Sequence, residues 1–105
     1  MRAFLRALLV VLSLALAACG APSAGSCFNL PWVCTEYVGS GYTWGQVQSS
    51  CKGPASQSTC PSANRVGRCR MWSGLPTEVI FHYYAPEEDE ASARVQCNTG
   101  EWLGP

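Results

Sequence analysis

Between residues 27 and 97 the chain places six cysteines: Cys27, Cys34, Cys51, Cys60, Cys69 and Cys97, within a total of 105 residues. So short a chain builds only a modest core. Cysteine-dense small chains belong mainly to oxidising compartments, where covalent bridges supplement that core. The spacings x6, x16, x8, x8 and x27 contain no C-x-x-C and no C-x-x-C-H. Zinc-ribbon, thioredoxin-like and haem-attachment patterns therefore lack their main support, and no metal or cofactor is expected. Bridges are the expected fate of all six. Each closed loop contributes about 2–4 kcal/mol, largely by restricting the unfolded chain. Six cysteines allow fifteen pairings. Cys69 with Cys97 is favoured, because it ties a hairpin to a helix. Cys51 with Cys60 and Cys27 with Cys34 follow as the remaining short loops.

A seventh cysteine, Cys19, stands apart at the end of the N-terminal segment. Arg2 and Arg6 open the chain, and Ala7 to Ala18 carries no charge and only Ser13 as a polar residue. Twelve helical residues reach about 18 Å, whereas the hydrocarbon layer is about 30 Å thick. A basic start, a short apolar middle and a small-residue end make a secretory signal peptide. Two cleavage readings compete. Ala15-Leu16-Ala17 fits the ordinary small-x-small rule and would leave seven thiols, one of them unpaired. Leu16-Ala17-Ala18-Cys19 resembles the lipobox of bacterial lipoproteins. That resemblance implies diacylglycerol on Cys19, removal of residues 1–18, further acylation of the new N-terminus, and six thiols left to pair. Residue 20 is Gly rather than the aspartate of inner-membrane retention, so the resemblance points to the outer membrane.

The expected organisation is a signal peptide over 1–18, a lipidated N-terminus and small-residue tether over 19–26, and one bridged domain over 27–105. Without residues 1–18, five basic residues face seven acidic ones. No basic tract remains to bind nucleic acid.

Cys27 to Cys34 contains Pro31 and reads as a turn or loop leading into a strand over Val33–Val38, which stops at Gly39-Ser40-Gly41. Thr43 with Gln46 forms a capping box, flanked by a Tyr42/Val47 staple, so a short helix follows and ends before Gly53-Pro54. Residues 55–64 read as a polar loop. "RVGRCRMW" and "TEVIFHYY" read as a hairpin with loop 73–77. Opposing Gly67, Cys69 and Met71 to Tyr83, Phe81 and Val79 makes one face apolar or small. Arg68 then opposes His82, Arg70 opposes Ile80 and Trp72 opposes Glu78; a one-residue slip would put arginines against Val79 and Phe81. Residues 85–97 read as a second helix with Pro86 at its first position and acidic residues at its start. Ala91/Val95 and Ala93/Cys97 form its apolar stripe. Glu101–Leu103 adds a final short strand. The predicted fold is a small disulfide-rich α+β domain, an antiparallel sheet of three or four short strands with two short helices. A strand bearing Tyr, a helix ending in Cys and a glycine-bearing turn occur twice, around 36–53 and 82–100.

From "CTEY" through "CPSANRVGRC" to "FHYYAP" and a closing helix with Cys97, the mature chain resembles small, uncharacterised cysteine-rich lipoproteins of Gram-negative bacteria. The resemblance implies a shared fold and brings no activity with it.

His82 is the only histidine and reads as a surface strand residue, since Arg68 beside it would disfavour an imidazolium. Glu87–Glu90 reads as a solvated helix start, without the turn glycine or ligand spacing of a calcium loop. Trp44 and Trp102 are expected to fill the core. Trp32 and Trp72, on a loop and a hairpin tip, are the candidate binding surface together with Arg68 and Arg70. No catalytic set stands out. The expected function is a binding or structural module tethered to the membrane by its lipid, its partner an envelope protein or glycan. Two alternatives are an inhibitor using loop 52–59 against an envelope or host hydrolase, and, ranked last, a small envelope enzyme.

Overall fold

The computed structural model describes residues 23–105; the expected signal peptide over 1–18, Cys19 and residues 20–22 of the expected tether lie outside the described residues. Among the described residues there are six strands and two helices, each helix ending at a disulfide-bonded C-cap cysteine. β1 (Gly25–Leu30), β2 (Val33–Tyr37), β3 (Ala55–Ser56), β4 (Arg65–Met71), β5 (Val79–Tyr84) and β6 (Glu101–Trp102) form one sheet in the order β3-β1-β2-β5-β4-β6. Every neighbouring pair is antiparallel. Helix α1 spans Trp44–Ser50 and α2 spans Glu90–Gln96.

The α+β class agrees with expectation, but the sheet has more strands than the three or four foreseen. The additional ones are β1 and β3. "GSCFNL" and the dipeptide Ala55-Ser56 carry weak local strand patterns, and each forms because a partner backbone is at hand. Leu30 pairs with Val33 across a turn made by Pro31 and Trp32, which folds β1 back along β2. β3 then pairs with the free side of β1. Gly25 and Ser26, expected in the tether, belong to β1, and Ser26 is buried.

The hairpin register is as the arginine argument required: Gly67↔Tyr83, Arg68↔His82, Cys69↔Phe81, Arg70↔Ile80 and Met71↔Val79. Pairing stops there, so Trp72 and Glu78 join the loop instead of closing the ladder.

Side chains paired across strands share a face. One row across the sheet is therefore Ala55, Cys27, Thr35, Phe81, Cys69 and Trp102. Both helices are bonded to this face, α1 by Cys27–Cys51 and α2 by Cys69–Cys97. On the opposite face Cys34 bonds Cys60, pinning the loop that leads into β4. Each bridge thus joins a strand to the segment that covers it. Cys69–Cys97 was anticipated; Cys27–Cys34 and Cys51–Cys60 do not form. The register supplies the reason. Cys27 lies opposite Thr35, so its neighbour Cys34 points to the other face, and a bond between them would have to pass through the sheet.

The core is split accordingly. On the helix face Cys69, Tyr83, Ala93 and Cys97 are buried against Val33, Val66, Met71, Phe81 and Trp102. On the loop face Cys34, Cys60 and Tyr84 pack with Phe28. Trp44 and Trp102 are half-buried and lie over glycines: a Cβ on Gly25 would come within 2.9 Å of Trp44, and one on Gly67 within 1.9 Å of Trp102.

Both helices start with capping boxes. Thr43 Oγ1 accepts from Gln46 N–H while the Gln46 side chain accepts from Thr43 N–H. Asp89 and Ser92 repeat the exchange in α2. That cap sets the start of α2 at Glu90; residues 85–88 precede the helix, with Ala85–Pro86 a cis bond. Only Ala93 and Cys97 face inward, whereas Val95 is 74% exposed, so the expected Ala91/Val95 stripe is not buried.

The echo between the halves is a structural repeat. From β2 onward the offset is 46 residues: Thr43 and Asp89 are N-caps, Val47 and Ala93 the buried helix residues, Cys51 and Cys97 the C-caps. The sheet order is symmetric about the β2–β5 seam. Thr35 pairs with Phe81, its own counterpart at that offset, so the pseudo-two-fold axis passes between these two residues.

Candidate functional site

Three places in the fold bring together residues able to bind or react. The first is the polar cluster on the loop face. β2 and β5 place Glu36 diagonal to His82 on the same face, two positions along from its partner Cys34, and β4 supplies Arg65. His82 is 4% exposed, which corrects its reading as a surface residue. The loop carrying Cys60 covers it, an effect of the Cys34–Cys60 bridge that a strand pattern does not announce.

Nε2 of His82 lies 3.2 Å from Oε1 of Glu36, and Nδ1 lies 3.4 Å from Nη1 of Arg65. Arginine only donates, so in a hydrogen bond with Arg65 the Nδ1 atom accepts, while Nε2 is turned toward the carboxylate. Contact with His82 holds the Glu36 carboxyl below its ordinary range against the opposing effect of burial, with help from the Cys60 N–H and Arg65. Nearby, burial pushes the Tyr84 phenol up to about 12, and its hydroxyl donates to Pro61 O at 2.7 Å.

Glu36, Cys60 and His82 offer donor atoms within 4.8 Å of one another. The Cys60 sulfur is committed to Cys34 and is no thiolate, so the oxidised cluster provides two metal donors, fewer than a closed zinc site uses. As acid–base chemistry it is equally confined, because a general base must reach the proton it takes. The cluster ties β2, β5 and the covering loop together.

The second place is the β4–β5 tip. Trp72 and Leu75 are each 53% exposed. The tip is held from several sides. Leu75 N–H donates to Trp72 O, Gly74 N–H to the Glu78 carboxylate at 2.6 Å, Gly41 N–H to Pro76 O and the Tyr42 hydroxyl to Thr77 O.

The third is at the other end of the sheet, around the β1–β2 turn. Leu30 is 47% exposed, Trp32 half-buried, and Phe28, Asn29, Pro31, Gly53 and Pro54 line a shallow hollow of about 360 Å³. A similar hollow of about 390 Å³ lies beside α1, lined by Tyr37, Tyr42, Gln46, Val47 and Ser50 among others.

The structure separates the residues that sequence grouped as one binding surface. Trp32 sits where β1 meets β2 and Trp72 where β4 leaves the sheet beside Val79, at opposite ends. Arg68 donates to the carbonyls of Leu103 and Gly104. Arg70 lies 3.6 Å from Glu78 and 3.5 Å from Glu101. Both arginines are spent on internal partners. Loop 52–59 is likewise stitched down, through β3, a Phe28 N–H bond to Pro54 O and a Ser26 hydroxyl bond to Ser58 O. The Glu36–His82 contact was missed in the sequence because it depends on pairing β2 with β5, and no local motif reports that pairing.

No known protein family, curated protein or solved structure matches this chain.

Proposed function

We propose that this protein is a lipid-anchored cell-envelope module that binds a partner and performs no catalysis. The observation that carries the reading is the cysteine count. Cys27, Cys34, Cys51, Cys60, Cys69 and Cys97 are all engaged in three bridges. The one cysteine left over is Cys19, directly after Leu16-Ala17-Ala18 at the end of an apolar run. Acylation of that sulfur removes the one thiol able to reshuffle the bridges. The lipoprotein modification supplies more than one acyl chain, as stable anchoring requires. Gly20 favours the outer membrane as the destination.

The partner is an envelope protein or glycan. The hollow around Phe28 and Pro31, with Leu30 and Trp32 beside it, is the contact surface offered by the end of the sheet away from the tether. Bridged strands on both sides keep it preorganised, which lowers the ordering cost of binding.

Intact-mass measurement of the mature protein, with and without reduction, tests the anchor. The expected product begins at Cys19, carries acyl mass and gains six hydrogens on reduction. A product starting elsewhere, or one without acyl mass, refutes the anchor. Co-purification from membrane extracts tests the contact surface: Trp32→Ala is expected to lose the partner, and unchanged recovery refutes that assignment.

A further inference from the structure

We infer that the Trp72–Leu75 tip is a membrane-interface contact, seated in the headgroup region of the bilayer that holds the lipid anchor. This rests on the anchoring reading above and adds an orientation to it. The first argument is where the chain enters the domain. β1 begins at Gly25, opposite Tyr37; Tyr37 lies opposite Val79, and Val79 opposite Met71. The tether therefore enters at the same end of the sheet from which the Trp72 tip projects. Three inter-strand steps separate β1 from β4, roughly 14 Å sideways. Five residues, 19 to 23, reach at most about 17 Å when extended. Anchor and tip consequently face one plane.

The second argument is charge. Residues 23–25, 38–43 and 71–77 lie at this end, and none of them is charged; Glu101 beside it is matched by Arg70 at 3.5 Å. The adjoining Glu78 carboxylate is turned inward, 14% exposed, to Gly74 N–H and Arg70. The acidic run Glu87–Glu90 follows β5 where it leaves the opposite end of the sheet, with Glu88 N–H bonded to Tyr84 O. An anionic lipid surface would repel that end and accept the uncharged one.

The third argument is the tip itself. Trp72 has φ +54°, a left-handed conformation that bulky side chains seldom adopt. A strained, half-exposed tryptophan marks a place where the ring serves something outside the fold. Tryptophan is the side chain most at home between water and hydrocarbon, with its apolar ring and one N–H donor. The hydrogen bonds fixing the tip keep Trp72 and Leu75 outward without further ordering.

The test uses the mature lipidated protein in vesicles of phosphatidylethanolamine and phosphatidylglycerol carrying a nitroxide at the headgroup. Wild-type tryptophan emission should be quenched on vesicle incorporation. Trp72→Phe should lose most of that quenching, and Trp32→Phe should retain it. Co-flotation with equal quenching in wild type and Trp72→Phe overturns this inference and leaves the anchor standing, as does quenching lost only in Trp32→Phe. A protein that does not float with the vesicles overturns the anchor and the inference together. Protection of Trp72 by a bound protein in native membranes, with no lipid quenching, also overturns it.

Discussion

Gly67→Ala should unfold the helix face at one point. An added Cβ would lie 1.9 Å from Cη2 of Trp102, with Cζ2 and Cζ3 at 2.6 and 2.7 Å. Carbon atoms in contact rest about 3.5–4.0 Å apart, so the indole must withdraw by roughly 2 Å. Overpacking of this kind costs about 1–3 kcal/mol. The ring also carries Arg94, 5.1 Å above its centroid, a contact worth about 0.5–1 kcal/mol at exposed sites. The expected loss is therefore about 1.5–4 kcal/mol. In a Trp102→Leu background the colliding atoms are absent, and alanine in a strand regains roughly 0.5–1 kcal/mol over glycine. Gly67→Ala should then be neutral or slightly stabilising, giving a coupling of at least about 1.5 kcal/mol between the two sites. Urea unfolding followed by far-ultraviolet circular dichroism, with the bridges intact, measures all four corners of the cycle. An equal cost for Gly67→Ala in both backgrounds would refute the packing argument.

Three further outcomes are expected. Proteolysis without reduction should release Cys27–Cys51, Cys34–Cys60 and Cys69–Cys97 peptides, and recovery of Cys27–Cys34 would contradict the register; replacing Cys69 and Cys97 by serine should cost roughly 3.5 kcal/mol from loop entropy. Glu36 has a folded pKa held below its ordinary 4.5 by His82, so its stabilisation is present above that pH and lost as pH falls through the folded value; Glu36→Gln should flatten the acid limb of a stability-against-pH curve, and an unchanged limb would show that the contact carries no weight. Thr43→Ala and Asp89→Ala should each cost about 1 kcal/mol in thermal or urea unfolding, because each removes one half of a capping box.

Several features were legible residue by residue. Thr43 and Gln46 announced the start of α1, since a cap needs only neighbours three positions apart. The β4–β5 register followed from the cost of turning Arg68 and Arg70 toward Val79 and Phe81. The second helix misled because Pro86 and the acidic run both suit a helix start, while the Asp89–Ser92 exchange placed that start at Glu90. The candidate binding residues are dispersed by the fold: Trp72 is exposed at the hairpin tip, Trp32 lies at the far end of the sheet, and Arg68 and Arg70 contact internal partners.

What the chain determined alone was local: one capped helix and a second helical segment, one hairpin and its face, six cysteines fit for bridging, and a second half that resembles the first. What the tertiary structure decided was which strands meet. Pairing β1 with β2 put Cys27 and Cys34 on opposite faces and so chose the bridges. Pairing β2 with β5 buried His82 against Glu36 and created the two-fold seam at Thr35 and Phe81. Such choices join residues tens of positions apart, and the side-chain alternation that signals a strand is the same whichever partner it finds.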